Sequence, residues 1–258
     1  MSKTIGYCRL CGQEKELSDE HIPPRKAFND KQVTFETMQD ALGFSGRKYS
    51  KFRNGITRQS ICESCNNLTG AWYGTAFVEW TRQGYVWLEK LENRNALLLP
   101  YNIMPLNVIK QIVVMMLAMS SFHKHICQDD LRRFAFNRTQ KYLPPNFRIY
   151  MYFNKGGKPR FTDQELVIFR ADLGAIDYVN AEIALPPFGY CVTSTSRKGI
   201  KSLAEHQGLY DITRFAHFDY NVWTTVYLTL PIRETHEPFP LDYRHDAEVK
   251  EHLRQNRI

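Results

Sequence analysis

Cys8-Arg9-Leu10-Cys11 and Cys62-Glu63-Ser64-Cys65-Asn66-Asn67 are the stretches on which the reading of this chain turns. Two Cys-x-x-Cys knuckles supply four thiolates, the ligand number and type that a tetrahedral structural zinc prefers. Gly12, directly after the first knuckle, offers the positive φ that such a turn needs. Short strands are expected at Thr4 to Tyr7 and Lys15 to Leu17, and a helix after Cys62 with Asn66 near its start. On that helix Trp72, Tyr73, Ala76, Phe77 and Trp80 recur at spacings of three and four, which predicts one packed face. Roughly fifty residues separate the knuckles, against the ~15–20 of a compact four-cysteine zinc pattern, so the spacing predicts a functional insertion between them.

Composition sets the class around that feature. A chain of 258 residues with 43% hydrophobic content fills a real core and is neither a disordered tail nor a disulfide-stapled miniprotein. Four of its six cysteines stand in the knuckles, which points to metal ligation in a reducing compartment rather than to a disulfide framework. Lys and Arg number 34 against 27 Asp and Glu, a net charge of +7, which favours an anionic partner such as nucleic acid. Its longest apolar run, Ile112 to Met119, is far short of the ~20 residues that span a bilayer, and the start at Met1 has no apolar leader. The expectation is a cytoplasmic protein without a membrane partner.

The chain divides by composition into residues 1–80, rich in Cys, Gly and basic residues, and residues 81–258, which carry most of the Leu, Ile, Val, Tyr and Phe. In the second part, helices are expected over Leu106 to His123 and Asp129 to Arg138, the latter closed by Pro144-Pro145. Strands are expected at Phe147–Phe153, Leu166–Phe169, Asn180–Leu185, Tyr190–Thr193, Tyr210–Phe215 and Thr224–Leu230, and a charged helix from Asp242 to Arg254. Few helical segments intervene between these strands, so the sheet should be mainly antiparallel and the fold α+β rather than doubly wound. Cys127 and Cys191 read as small buried hydrophobes.

Between the knuckles lies Asp19-Glu20-His21-Ile22-Pro23-Pro24. A carboxylate beside an imidazole offers an oxygen ligand for a hard cation and a base titrating near neutrality, the two requirements of metal-assisted phosphodiester hydrolysis. Further on, Gly46 to Arg58 holds five cations, Arg47, Lys48, Lys51, Arg53 and Arg58, with no acid and with the aromatics Tyr49 and Phe52. Such a segment can grip phosphates and present rings to bases. Arg25 and Lys26 extend the same charge next to His21.

Taken in order, Cys8, Cys11, Glu20, His21, Ile22, Pro24, Cys62, Cys65, Asn66, Asn67 and Gly70 resemble the HNH endonucleases, in their zinc-stapled branch with a ββα-metal, treble-clef core. The resemblance covers about the first third of the chain. It implies an N-terminal zinc-stapled ββα-metal module followed by a C-terminal α+β domain. It also implies that His21 is the general base, that Glu20 and Asn66 hold one catalytic divalent cation, Mg²⁺ or Mn²⁺ or Ni²⁺, and that Cys8, Cys11, Cys62 and Cys65 hold structural Zn²⁺. Double-stranded DNA is the implied substrate, and restriction or phage defence the implied setting. Two positions depart from the family. Asn66 stands where many members have His, and Asn54, the nearest counterpart of the asparagine that orients the base, lies further from Cys62 than the pattern has it. A degenerate module that binds DNA or regulates without cutting is the alternative. For the second domain three roles stand open: choosing the target, forming a homodimer, or restraining the nuclease until a ligand or partner protein binds.

Overall fold

The computed structural model describes residues 4–35, 50–90, 96–120, 128–155, 160–170, 175–195 and 208–233. Strands β1 (Thr4–Tyr7), β2 (Glu14–His21) and β5 (Thr57–Cys62) form an antiparallel sheet in the order β1-β2-β5. The insertion between β2 and β5 contributes a separate antiparallel pair, β3 (Val33–Phe35) with β4 (Ser50–Phe52). Helix α1 (Glu63–Thr69) starts directly after β5, with Glu63 in its first turn where a negative charge complements the helix dipole. It runs through a π-helical turn, Gly70–Gly74, into α2 (Thr75–Lys90).

The aromatic stripe on this rod packs as its spacing predicts. Tyr73, Phe77 and Trp80 are buried, and Trp72 lies partly buried against the same core. Trp80 stacks on Phe188 with centroids 4.5 Å apart and donates its indole N–H to the Tyr190 hydroxyl at 2.8 Å. A buried indole thus finds the acceptor it needs.

Strand β6 (Ala96–Ile103) leads into α3 (Pro105–Met119), in which every residue is buried. A helix buried on all sides belongs at the centre of a core, and Pro105 opens it at the first-turn position that tolerates proline. Its one lysine, Lys110, donates to the carbonyls of Phe134 and Asn137 at the end of α4 (Gln128–Phe136). The large sheet then follows, with β7 (Phe147–Asn154), β8 (Arg160–Arg170), β9 (Ala175–Leu185), β10 (Phe188–Thr195), β11 (Tyr210–Asp211) and β12 (Thr224–Arg233). Its order is β6-β12-β7-β10-β9-β8, with β11 also on β7, and all pairings are antiparallel except a short parallel contact of β12 with β7. The fold is therefore mixed α+β with a mainly antiparallel sheet.

Two expectations need correction. Tyr210–Phe215 is not one strand: after Asp211 its carboxylate accepts the Thr213 N–H at 2.7 Å, and Thr213–His217 turns as a 3₁₀ helix. An aspartate placed to cap a turn diverts the chain from the ladder. Strand β6 was not anticipated, because Pro100 argues against a central strand; β6 lies at the sheet edge, where proline is tolerated. The helix expected to reach His123 is helical to Met119, with 121–127 outside the described residues, as are Cys127 and the terminal helix from Asp242. Cys191 is buried.

One contiguous apolar core runs from Cys8, Leu10, Ile22 and Ile61 of the N-terminal sheet through α3 to the large sheet. Two hydrogen bonds tie its ends: Arg132 of α4 donates to the Arg9 carbonyl in the first knuckle at 2.8 Å, and Tyr73 donates to the Ala135 carbonyl at 2.7 Å.

Candidate functional site

The first knuckle sits between β1 and β2, where the Gly12 N–H closes on the Cys8 carbonyl at 2.8 Å with Gly12 at φ +70°. Cys62 ends β5 and Cys65 lies in the first turn of α1, so the two knuckles meet where the sheet passes into the helix. All four sulfurs lie within 4.8 Å of one another. Four thiolates at ~2.3 Å from one ion span about 3.8 Å between sulfurs, so the cluster needs only a small contraction to hold a metal such as zinc. Its electrostatics say the same. The Cys65 thiol holds Cys8 down to about 4, while Cys65 is pushed far up by Cys8 and by burial. A cation between the sulfurs would offset the repulsion among neighbouring thiolates. The Cys62 N–H points at Cys8 Sγ at 3.3 Å and supports that thiolate. Among the described residues this is the one group of three or more Cys, His, Asp or Glu side chains suited to a metal.

Glu20 and His21 end β2, opposite Arg58 and Thr57 of β5. His21 Nε2 lies 3.0 Å from the Asn54 carbonyl oxygen. A carbonyl only accepts, so Nε2 carries a proton, and in the neutral ring the lone pair is on Nδ1. Asn54 thus meets His21 through its backbone, a link that spacing along the chain left obscure. Glu20 is 7% exposed with no hydrogen-bond partner among the described residues, and burial pushes its carboxyl up to about 7. A cation beside it would draw that value back down.

Asn66, in α1, donates through Nδ2 to Ser18 Oγ at 3.3 Å. Ser18 in turn gives its hydroxyl proton to the Ile61 carbonyl at 2.9 Å. Ser18 Oγ can then only accept, so the Asn66 amide nitrogen faces it and the amide oxygen is left as an acceptor without a partner among the described residues. The bulge between β2 and β5 falls on β5, where Ser60 is the extra residue, so Ser18 and Glu20 keep the same face of β2.

A residue the sequence did not mark holds the two loops of this site together. Asn29 is 1% exposed; its Nδ2 donates to the Pro23 carbonyl at 2.7 Å and the Ile56 carbonyl at 3.0 Å, and its Oδ1 accepts the Ile56 N–H at 2.7 Å. The Ile22 N–H adds a bond to the Ile56 carbonyl at 3.0 Å, and Gly55 donates to the Lys31 carbonyl at 2.8 Å. Gly55 has φ +84°, and a Cβ there would lie 1.9 Å from the Asn29 carbonyl oxygen, so only glycine fits. The loop carrying Asn54 is thereby bolted to the loop leaving His21.

Of the cations, Arg25 and Lys26 are exposed in the turn after His21, and Arg53 and Arg58 are exposed on the β4–β5 side. None of the four forms an ion pair among the described residues. Lys51 lies in β4, with its side chain outside the description, and Arg47 and Lys48 are outside the described residues. Compared with known protein families, curated proteins and solved structures, the chain matches none.

Proposed function

We propose that this chain is an HNH-type, metal-dependent endonuclease that hydrolyses phosphodiester bonds of DNA, built on an N-terminal zinc-stapled ββα-metal module. The observation that carries the reading is the bond from His21 Nε2 to the Asn54 carbonyl, with the buried Glu20 beside it. In the neutral ring that bond leaves Nδ1 as the free nitrogen, the form a general base must have to take a proton from water. Structural Zn²⁺ belongs to Cys8, Cys11, Cys62 and Cys65.

The donor set also suits a hard cation. Glu20 offers one carboxylate and Asn66 a free amide oxygen, and Mg²⁺ or Mn²⁺ commonly binds through one or two carboxylates while keeping waters and substrate phosphates. Ni²⁺ is less suited to oxygen ligands. A cation held there supplies Lewis acidity to the scissile phosphate and to the departing 3′ oxygen. His21 takes the proton from the attacking water, Asn54 keeps the ring aimed, and Ser18 keeps the Asn66 amide in its ligating orientation. Arg25, Lys26, Arg53 and Arg58 offer unpaired positive charge for the flanking phosphates.

The test is conversion of supercoiled plasmid by wild type and His21→Ala in Mg²⁺, Mn²⁺ and Ni²⁺, with zinc content measured for both. Cutting by the wild type, lost by at least ~100-fold in His21→Ala as expected for a general base, with zinc unchanged, supports the reading. DNA binding without cutting in any of these metals overturns it in favour of a non-catalytic DNA-binding module.

A further inference from the structure

Phe28 is one of three non-glycine residues at positive φ among the described residues, with Tyr142 and Asn221. It follows the turn Pro24–Ala27, which closes through Ala27 N–H to the Pro24 carbonyl at 2.8 Å and Asn29 N–H to the Arg25 carbonyl at 3.2 Å. At φ +63° it occupies the left-handed position that ends such a turn, a place that favours glycine or asparagine and strains a bulky side chain. The conformation leaves part of the ring open to solvent. Phe28 stays 37% exposed, and its inner face stacks on Tyr85 of α2, centroids 4.4 Å apart and planes at 29°.

Three further facts surround this pair. Arg25, Lys26 and Lys31 are exposed within three residues of Phe28, against Asp30 as the one acid from Ile22 to Gln32. Asn29, the next residue, is locked to Pro23 and Ile56, so the ring stands on the same frame that holds His21 to Asn54. From Phe28 through Asn29 to Ile56 and back to Asn54 is a path of only a few residues, which ties the ring to the loop that carries Asn54.

We infer that Phe28, backed by Tyr85, is a stacking platform for an unpaired nucleobase of DNA, beside the phosphate held at His21. The inference rests on the nuclease reading for its position but concerns binding alone. A flat aromatic face beside unpaired cations is the combination that binds bases without regard to sequence, rings taking the base and cations the backbone. Strain kept at an exposed ring is expected where the ring serves a ligand.

The test separates stacking from cleavage. The full-length protein in a His21→Ala background is titrated with a single-stranded DNA oligonucleotide carrying 2-aminopurine and with a fully paired duplex, over a range of salt. Phe28→Gly suits the left-handed position, so the relieved backbone strain offsets part of the lost Tyr85 stack, and its fold is checked by zinc content and urea unfolding. It is expected to lose 2-aminopurine quenching and about tenfold in affinity for the single strand, as loss of one stacked base predicts, with the same salt slope because phosphate contacts persist. Phe28→Trp is expected to keep both, and Tyr85→Ala to weaken both. Equal quenching and affinity in Phe28→Gly and the parent overturn the platform, as does absence of any DNA binding by the parent. Binding with quenching, in a wild-type protein that never cuts, sustains the platform and removes the nuclease reading.

Discussion

Replacing Asn29 tests whether one buried amide assembles the candidate site. Its three hydrogen bonds, at 2.7, 3.0 and 2.7 Å, go to backbone groups of Pro23 and Ile56. At a net ~1 kcal/mol each, Asn29→Ala should cost about 3 kcal/mol, rising to ~5 where the orphaned backbone groups stay dry. Asn29→Asp is the sharper probe because it preserves shape. It retains the bond from the Ile56 N–H but sets a carboxylate oxygen against the two carbonyl oxygens that the amide nitrogen served. Those oxygens disfavour the ionised form, so the folded pKa of the new carboxyl should lie above its unfolded value of ~3.9. The folded state then binds the extra proton, and stability falls as pH rises from the unfolded value to the folded one. Asn29→Asp should therefore be mildly destabilised at pH 4 and lose about 3 kcal/mol by pH 7, whereas the deficit of Asn29→Ala should not vary with pH. Glu20, raised to about 7 by burial, titrates in the same window, so each variant is compared with wild type at the same pH. Urea unfolding across pH 4–8 in the presence of zinc measures these differences. Two variants within ~0.5 kcal/mol of wild type at pH 7, or a flat difference for Asn29→Asp, would refute the reasoning.

Gly55→Ala should be destabilised by roughly 2–4 kcal/mol, since it combines a left-handed φ with a 1.9 Å approach to the Asn29 carbonyl; its denaturation midpoint, with plasmid nicking reduced in parallel, is the check. Purified protein should carry about one zinc per chain, and Cys65→Ser should lose it together with several kcal/mol of stability, read from metal analysis and thermal melting. Lys110, drawn down to about 7 from an ordinary 10.5 by burial, is bound to fewer protons folded than unfolded across that interval. Its contribution to stability therefore rises with pH from about 7 to about 10.5, and Lys110→Met should flatten that slope in unfolding measurements at pH 7, 8 and 9.

What the chain reveals by spacing differs in kind from what it hides. Cys-x-x-Cys is a local geometry, so the cluster and the helix after Cys62 were legible, and the stripe of Tyr73, Phe77 and Trp80 declared its buried face through its period. Glu20-His21 was legible as a carboxylate beside an imidazole. Its supports were not: Asn54 reaches His21 through a backbone carbonyl 33 residues away, and a carbonyl has no residue identity to read. Ser18 and Asn29 are ordinary polar residues in sequence, and only the approach of Ile61 and Ile56 makes them structural. In the large sheet, β-branched and aromatic runs announced most strands, while β6 hid behind Pro100 and the segment after Asp211 looked extended until its capping bond turned it.

The cysteine cluster and His21 lie at opposite ends of one strand pair. Leu17 faces Cys62 at one end and His21 faces Thr57 at the other, four residues along β2, or about 13 Å at ~3.3 Å per residue. Zinc at the cysteines therefore cannot touch the His21 imidazole. Its leverage is on Asn66, one residue beyond Cys65, and so on how α1 presents its amide to β2. The loop frame of Asn29 and Gly55 acts at the other end, on the ring of His21. Perturbations at sites this far apart with no shared partner should add. On the proposed nuclease reading, loss of zinc should then weaken cation binding before it disturbs His21, and loss of Asn29 should disturb His21 while the cysteines still hold their metal.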